Sequence, residues 1–248
     1  MGAAERLVFD KRDAADTSRG VRAFGTQRSF ANPLRPAVTR FLALALLTGL
    51  TGCVPYAVGN TAATVPAERV EPSALVQIAS SRRDLQRGDR EGGAVLAVAN
   101  EARLGLDQYS DIGVRLSGLG SVSATYKRRI SGLPGQDAGA AILVGAGIVG
   151  TSHFHSEATL IVSMEERNQI APYGGIRIQD LAPFTDGALN TPVAIGVFAG
   201  GRFGWPDLGI SPELGVFYSP SPVSGGRTTV IVPSVTIRGQ RLIKALGL

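Results

Sequence analysis

The chain has two histidines, His153 and His155, and both lie within a run of alternating polar and apolar residues that also holds Glu157. In an extended strand, residues i, i+2 and i+4 project to one side, so two imidazoles and a carboxylate would converge there as zinc donors. Three donors with no second motif make a weak metal site, and no metal is assigned. Ser152 and Ser156 stand beside these histidines and Glu157, the residue types of a hydrolytic triad. A triad needs a base brought onto the nucleophile from elsewhere in the fold, which neighbours on one strand do not supply. Gly145, Gly147 and Gly150 spell a G-x-G-x-x-G, but no helical pattern follows and no acidic ribose partner is in place. No cofactor and no enzymatic activity are expected from these residues.

The single cysteine, Cys53, excludes a disulfide framework and a cysteine-rich zinc module. It follows Phe41 to Leu50, a ten-residue apolar run with Arg35 and Arg40 upstream. That run is too short to span a bilayer as a helix, which takes about 20 apolar residues. A short apolar core behind positive charge has the layout of a secretory signal. Leu50-Thr51-Gly52-Cys53 resembles the lipobox of bacterial lipoproteins. The resemblance implies cleavage after Gly52 and a diacylglyceryl group on the Cys53 thiol. Val54 in place of aspartate implies delivery to the outer membrane rather than retention at the inner one. About 40 residues precede the apolar core, and initiation near Val38 is expected to leave a short Val-Thr-Arg leader.

Dividing the chain here changes the meaning of its charge. The 248 residues carry 25 basic and 20 acidic side chains, a formal +5. Eight of the basic and four of the acidic ones precede Cys53, so the part from Cys53 onward is close to neutral at +1. The basic surface that nucleic-acid binding needs is therefore absent. Residues 1–52 are read as signal and leader, and 53–68 as a lipidated N-terminus and flexible tether, being small, proline-containing and nearly uncharged. A β-domain is expected over 69–240 and a C-terminal tail over 241–248.

The elements of that domain are written with a period of two. From His153 to Glu165, Phe154, Ala158, Leu160, Val162 and Met164 fall on one face and the polar residues on the other, with Ser156 and Ile161 as exceptions. The same alternation runs through 111–117, 121–127, 176–179, 193–203 and 208–218, and further strands are expected at 73–81, 93–106, 138–149 and 227–238. Several of these strands are ten residues or longer, whereas soluble-sheet strands run about 5–6 residues and membrane-barrel strands about 9–11. The polar face mixes charge with small residues. Glu101, Arg103, Arg115, Lys127, Glu157, Glu165, Arg177, Arg202 and Glu213 are expected to point inward as a salt-bridged filling, because buried charges persist only when paired. Glycine, at 32 of 248 residues, supplies the space such a filling needs. Tyr126, Phe154, Tyr173, Phe203, Trp205 and Tyr218 are candidates for interfacial girdles. Longer connections are expected at 82–92, 181–190 and 219–226, shorter ones at 107–110, 166–168 and 204–207; those at 118–120 and 131–137 break the alternation.

Ala102 to Leu116, ARLGLDQYSDIGVRL, is similar to a hairpin common in small bacterial outer-membrane β-barrel proteins, and Pro192 to Ser219 resembles a later hairpin of such proteins. The fold expected is all-β, an antiparallel up-and-down barrel of about 8–10 strands behind a lipoprotein signal peptide and tether. The resemblance implies a lipid-anchored protein of the bacterial outer membrane, partnered by its lipid. Its role would be structural or exercised through loops toward an envelope protein or extracellular ligand, and it would not be an open pore. Two other readings stay open: a periplasm-facing lipoprotein with a soluble β-domain that binds a small ligand or partner, and an outer-membrane lipid hydrolase.

Overall fold

The computed structural model describes residues 56–81, 95–118, 120–184, 191–205, 208–220 and 227–239. Leu50, Thr51, Gly52, Cys53 and the C-terminal tail lie outside the described residues, as does nearly all of the long connections at 82–92, 181–190 and 219–226.

Ten antiparallel strands form one closed barrel: β1 (Val70–Ser81), β2 (Val95–Gly105), β3 (Ser110–Ser117), β4 (Ser121–Ser131), β5 (Gly139–Val149), β6 (His153–Ser163), β7 (Ile170–Pro183), β8 (Thr191–Trp205), β9 (Leu208–Pro220) and β10 (Arg227–Arg238). Each strand pairs with its neighbours in sequence, and β10 closes on β1 through pairs such as Leu75 with Thr236. Closure leaves no sheet edge unpaired, which is the condition for a sheet to stand in hydrocarbon. β1 begins and β10 ends on one rim, here the terminal rim, which also carries the connections at 106–109, 132–138, 164–169 and 206–207. The opposite rim carries 82–94, 118–120, 150–152, 184–190 and 221–226. Long connections and the tight turns at 118–120 and 150–152 therefore share that rim.

Local chemistry sets the tight turns. Asn168 and Gln169 both have positive φ, 52° and 64°, and Arg167 and Ile170 exchange N–H···O bonds of 2.9 Å, a two-residue hairpin turn whose twist matches the flanking strands. In the turn after β2 the Tyr109 N–H donates to Asp107 Oδ1 at 2.6 Å, which holds that carboxyl below its ordinary range.

The alternation expected from sequence is the alternation of the walls. On β3, Ile112, Val114 and Leu116 are exposed on the outside while Asp111, Arg115 and Ser117 are buried inside. On β6 the outward Phe154, Leu160 and Val162 alternate with the inward His155, Glu157 and Thr159. The apolar face is thus outside and the charged face inside, the inverse of a water-soluble barrel.

Four expectations need correction. Residues 57–62, within the 53–68 stretch expected to be a flexible tether, are instead buried in the lumen, where an uncharged, small-residue strip fits between the walls. Glu165 follows the end of β6 and is exposed, because the strand has ended before it reaches the lumen face again. Tyr173 is buried inside, its ring 6.4 Å from that of Phe198, and so belongs to no girdle. Tyr126 is outward-facing, but at the middle of β4 rather than at a strand end.

Candidate functional site

The functional candidate is the lumen. Inward side chains from β2, β3, β4, β6 and β7 form an unbroken series of opposite charges. Lys127 Nζ lies 3.5 Å from Asp111 Oδ2, and Asp111 Oδ1 accepts from Arg103. Arg103 also pairs with Glu101, which in turn accepts from Arg115 Nη2 at 3.1 Å. Arg115 Nη1 reaches to 3.6 Å from Glu157 Oε1, and Glu157 pairs with Arg177. All of these side chains are at most 7% exposed. Removing so many charges from water is tolerable because each has an oppositely charged neighbour on both sides or at least one. Eight strands give an interior that side chains alone fill, and ten give a wider one.

The extra width is occupied by the chain itself. Residues 56–65 run through the lumen from mid-barrel to the terminal rim, and the wall grips their backbone. The N–H groups of Tyr56 and Ala57 both donate to Gln77 Oε1 at 3.0 Å. Those of Val58 and Gly59 donate to the two oxygens of Glu213 at 2.8 Å. The Ala62 N–H donates to Ser163 Oγ at 2.6 Å and the Val65 N–H to Asp111 Oδ2 at 2.9 Å. In the other sense, Arg177 Nη1 donates to the carbonyls of Tyr56 and Ala57, at 3.2 and 2.9 Å, and Lys127 donates to that of Ala63. Gly59 has φ +60°, and a Cβ there would lie 2.0 Å from Thr236 Oγ1, so only glycine passes this point. The segment leaves the lumen at the rim, where Ala67 bridges Gly105 and Glu68, at φ 62°, turns the chain into β1.

Side chains of this segment meet an apolar strip of the inner wall. Val58 and Ala62 cluster with Ala141, Leu143, Ile161, Tyr173 and Phe198, and the Tyr56 ring packs 5.0 Å from that of Phe217. Phe217 lies across Gly196 and Gly215, where added Cβ atoms would sit 2.1 and 2.5 Å from its ring. At the rim, Asp137 pairs with Arg202 and accepts from Thr61 Oγ1 at 3.1 Å, while Arg202 also meets Glu166 at 2.6 Å.

The sequence-derived candidates resolve individually. His155 and Glu157 share the lumen face as the alternation predicts, with His155 Nε2 3.7 Å from Glu157 Oε2, but Glu157 is bound by Arg177 and Arg115. His153 Nδ1 pairs with Ser152 Oγ at 2.9 Å at the far rim. Among the described residues, no three of His, Cys, Asp and Glu are placed to hold a metal ion. The acid a triad would use is engaged by guanidinium groups, and Ser156 stands on the outward-facing set of β6. Gly145 and Gly147 lie in β5 with no helix after them, and Gly145 leaves room for the Glu157 side chain. The expected inward charges Glu101, Arg103, Arg115, Lys127, Glu157, Arg177, Arg202 and Glu213 do meet in or at the rim of the lumen. The lumenal segment is what sequence reasoning missed. Its trace was the apolar breaks in the polar face, such as Ile161, which imply an apolar neighbour inside the barrel.

No family model matches the sequence, and no curated protein matches it. Similar solved structures include outer-membrane proteins. An outer membrane channel from Pseudomonas putida F1 is 8% identical, with 75% of this chain and 99% of that chain covered and a TM-score of 0.41. Neisserial surface protein A is 14% identical over 69% of this chain and 95% of that one, TM-score 0.35. The Yersinia pestis protein Ail is 12% identical over 68% and 99%, TM-score 0.32. The functional reading rests on the surfaces of the barrel rather than on these likenesses.

Proposed function

We propose that this chain is an outer-membrane β-barrel protein, lipid-anchored at Cys53, that acts structurally or through its loops and is not an open pore or an enzyme. The observation that carries the reading is the outer surface. Around the whole barrel, large apolar side chains point outward: Val114, Val122, Val144, Leu160, Val197 and Leu214 are each 40–56% exposed. A soluble monomer seldom exposes a contiguous apolar patch beyond about 300–600 Å². A closed belt of this kind is stable against lipid tails, with every backbone group paired strand to strand.

The filled lumen supports the closed state, since its charged residues and the segment 57–62 are buried together. Lipid anchoring is carried by the Leu50-Thr51-Gly52-Cys53 sequence alone. The test is extraction and gel behaviour of the full chain. A membrane barrel will stay with the envelope until detergent is added and will migrate faster unboiled than boiled. Release in water-soluble form after residues 1–53 are deleted would instead favour the periplasmic β-domain, and lipid hydrolysis lost on replacing His153 and His155 by Ala would favour the hydrolase.

A further inference from the structure

We propose that residues 56–66 are a displaceable stopper, and that the lumen they fill becomes a passage for ions and small polar solutes once they leave. The inference rests on the outer-membrane reading and goes beyond it, because it makes closure a property of one short segment rather than of the barrel.

Three features carry it. First, the charge pairing of the wall does not need the segment. The series Lys127, Asp111, Arg103, Glu101, Arg115, Glu157 and Arg177 runs from wall strand to wall strand with four cations and three anions, and Glu213, also on the wall, stands near Arg177 and Arg115 as the fourth anion, so the balance does not need the segment. Second, beside the apolar contacts of Tyr56, Ala57, Val58 and Ala62, the wall holds the segment's backbone through polar side chains. Gln77, Glu213, Ser163 and Asp111 accept its N–H groups, and Arg177 and Lys127 donate to its carbonyls. Polar groups of that kind exchange a peptide for water at small net free energy, because both offer hydrogen bonds. The wall holds further buried groups, both ring nitrogens of His155 and Thr159 Oγ1, with no hydrogen-bond partner among the described residues, as suits a hydrated passage better than a sealed core. Third, the segment takes no part in the strand ladder: the nearest bridge, Ala67 with Gly105, lies just beyond it, and from Ala57 to Thr64 its side chains are small: Ala, Val, Gly, Asn and Thr. Withdrawal leaves the ten-strand ladder whole and opens a gap of the width of an extended chain.

Gln77 and Ser163 hold the segment by uncharged side chains outside the charge series, so their loss loosens the stopper and leaves the charges of the wall paired. The test uses the full chain in phospholipid vesicles and reads potassium chloride flux. The parent protein is expected to be nearly silent. The Gln77→Ala/Ser163→Ala variant is expected to raise flux about tenfold or more, since three of the hydrogen bonds that hold the segment's backbone are lost. A chain lacking 56–66 is expected to conduct continuously, and a synthetic peptide of residues 56–66 is expected to close it. A deletion chain that inserts and shows barrel heat-modifiability yet passes no ions overturns the proposal. If that chain does not assemble, unchanged flux through the double variant overturns it. A parent chain that fails to enter vesicles at all removes the outer-membrane reading and this proposal with it, whereas insertion without gating removes only the stopper.

Discussion

Placing an arginine at position 144 tests which solvent the outer wall meets. Val144 is the central residue of β5, points outward at 44% exposure, and pairs with Tyr126 and Ala158, themselves the central residues of β4 and β6. Three strand centres in register put this position close to the middle of the apolar belt. In a bilayer, arginine on the lipid face near the midplane destabilises a barrel by about 2–4 kcal/mol, falling to about 0–1 kcal/mol near the interface. Val144→Arg should therefore lower the folded-to-unfolded ratio roughly 30- to 1,000-fold, at tenfold per 1.4 kcal/mol. Val162, one residue from the end of β6 and equally outward, is the matched control near the interface. Guanidinium unfolding of the proteins in lipid vesicles, followed by the fluorescence of the single tryptophan, Trp205, reads both. In water the magnitude differs: an exposed apolar-to-arginine change on a soluble surface stays within about 0.5 kcal/mol. Equal, negligible effects at 144 and 162 would refute the lipid-facing assignment of the wall.

Further outcomes follow from the interior and from the leader. Arg177→Met should cost about 3–5 kcal/mol in the same unfolding assay, because it removes the nearer of the two guanidinium partners of buried Glu157 and leaves it with Arg115 at 3.6 Å, and adding Glu157→Gln should recover part of the loss. Gly196→Val should block assembly or destabilise by about 1–3 kcal/mol or more through collision with the Phe217 ring, and Phe217→Ala should suppress that defect in a gel-shift assembly assay. Cys53→Ser should abolish incorporation of labelled palmitate, and equal labelling of the variant would end the lipidation proposal.

Much of the wall was legible because a strand in a two-sided environment writes its surroundings into every second residue. The run from His153 to Ser163 shows this: its apolar set is the outside of β6 and its polar set is the inside. Ser156 and Ile161, the exceptions to that pattern, have different causes. Ser156 is a half-buried residue on the outward set, while Ile161 is fully buried against Val58 and Ala62 of the lumenal segment. Tyr173 and Phe217 show the same limit from other strands. Each is an aromatic residue on the inner face that meets apolar side chains of the lumenal segment more than 100 residues away, Phe217 against Tyr56 and Tyr173 in one cluster with Val58 and Ala62.

Sequence alone therefore determined the β class, the inside-out patterning, the charges that would share the lumen and the lipobox-like address, because all of these are written in period or in contiguous residues. It did not determine where the segment before β1 would go. A small, uncharged strip such as Tyr56 to Thr64 reads equally well as a solvent tether or as lumen filling, since neither needs a periodic pattern. Only the closed barrel decided between them: ten strands leave an interior wider than their own side chains fill, and Gln77, Glu213 and Asp111 present acceptors at the places where that strip carries its N–H groups.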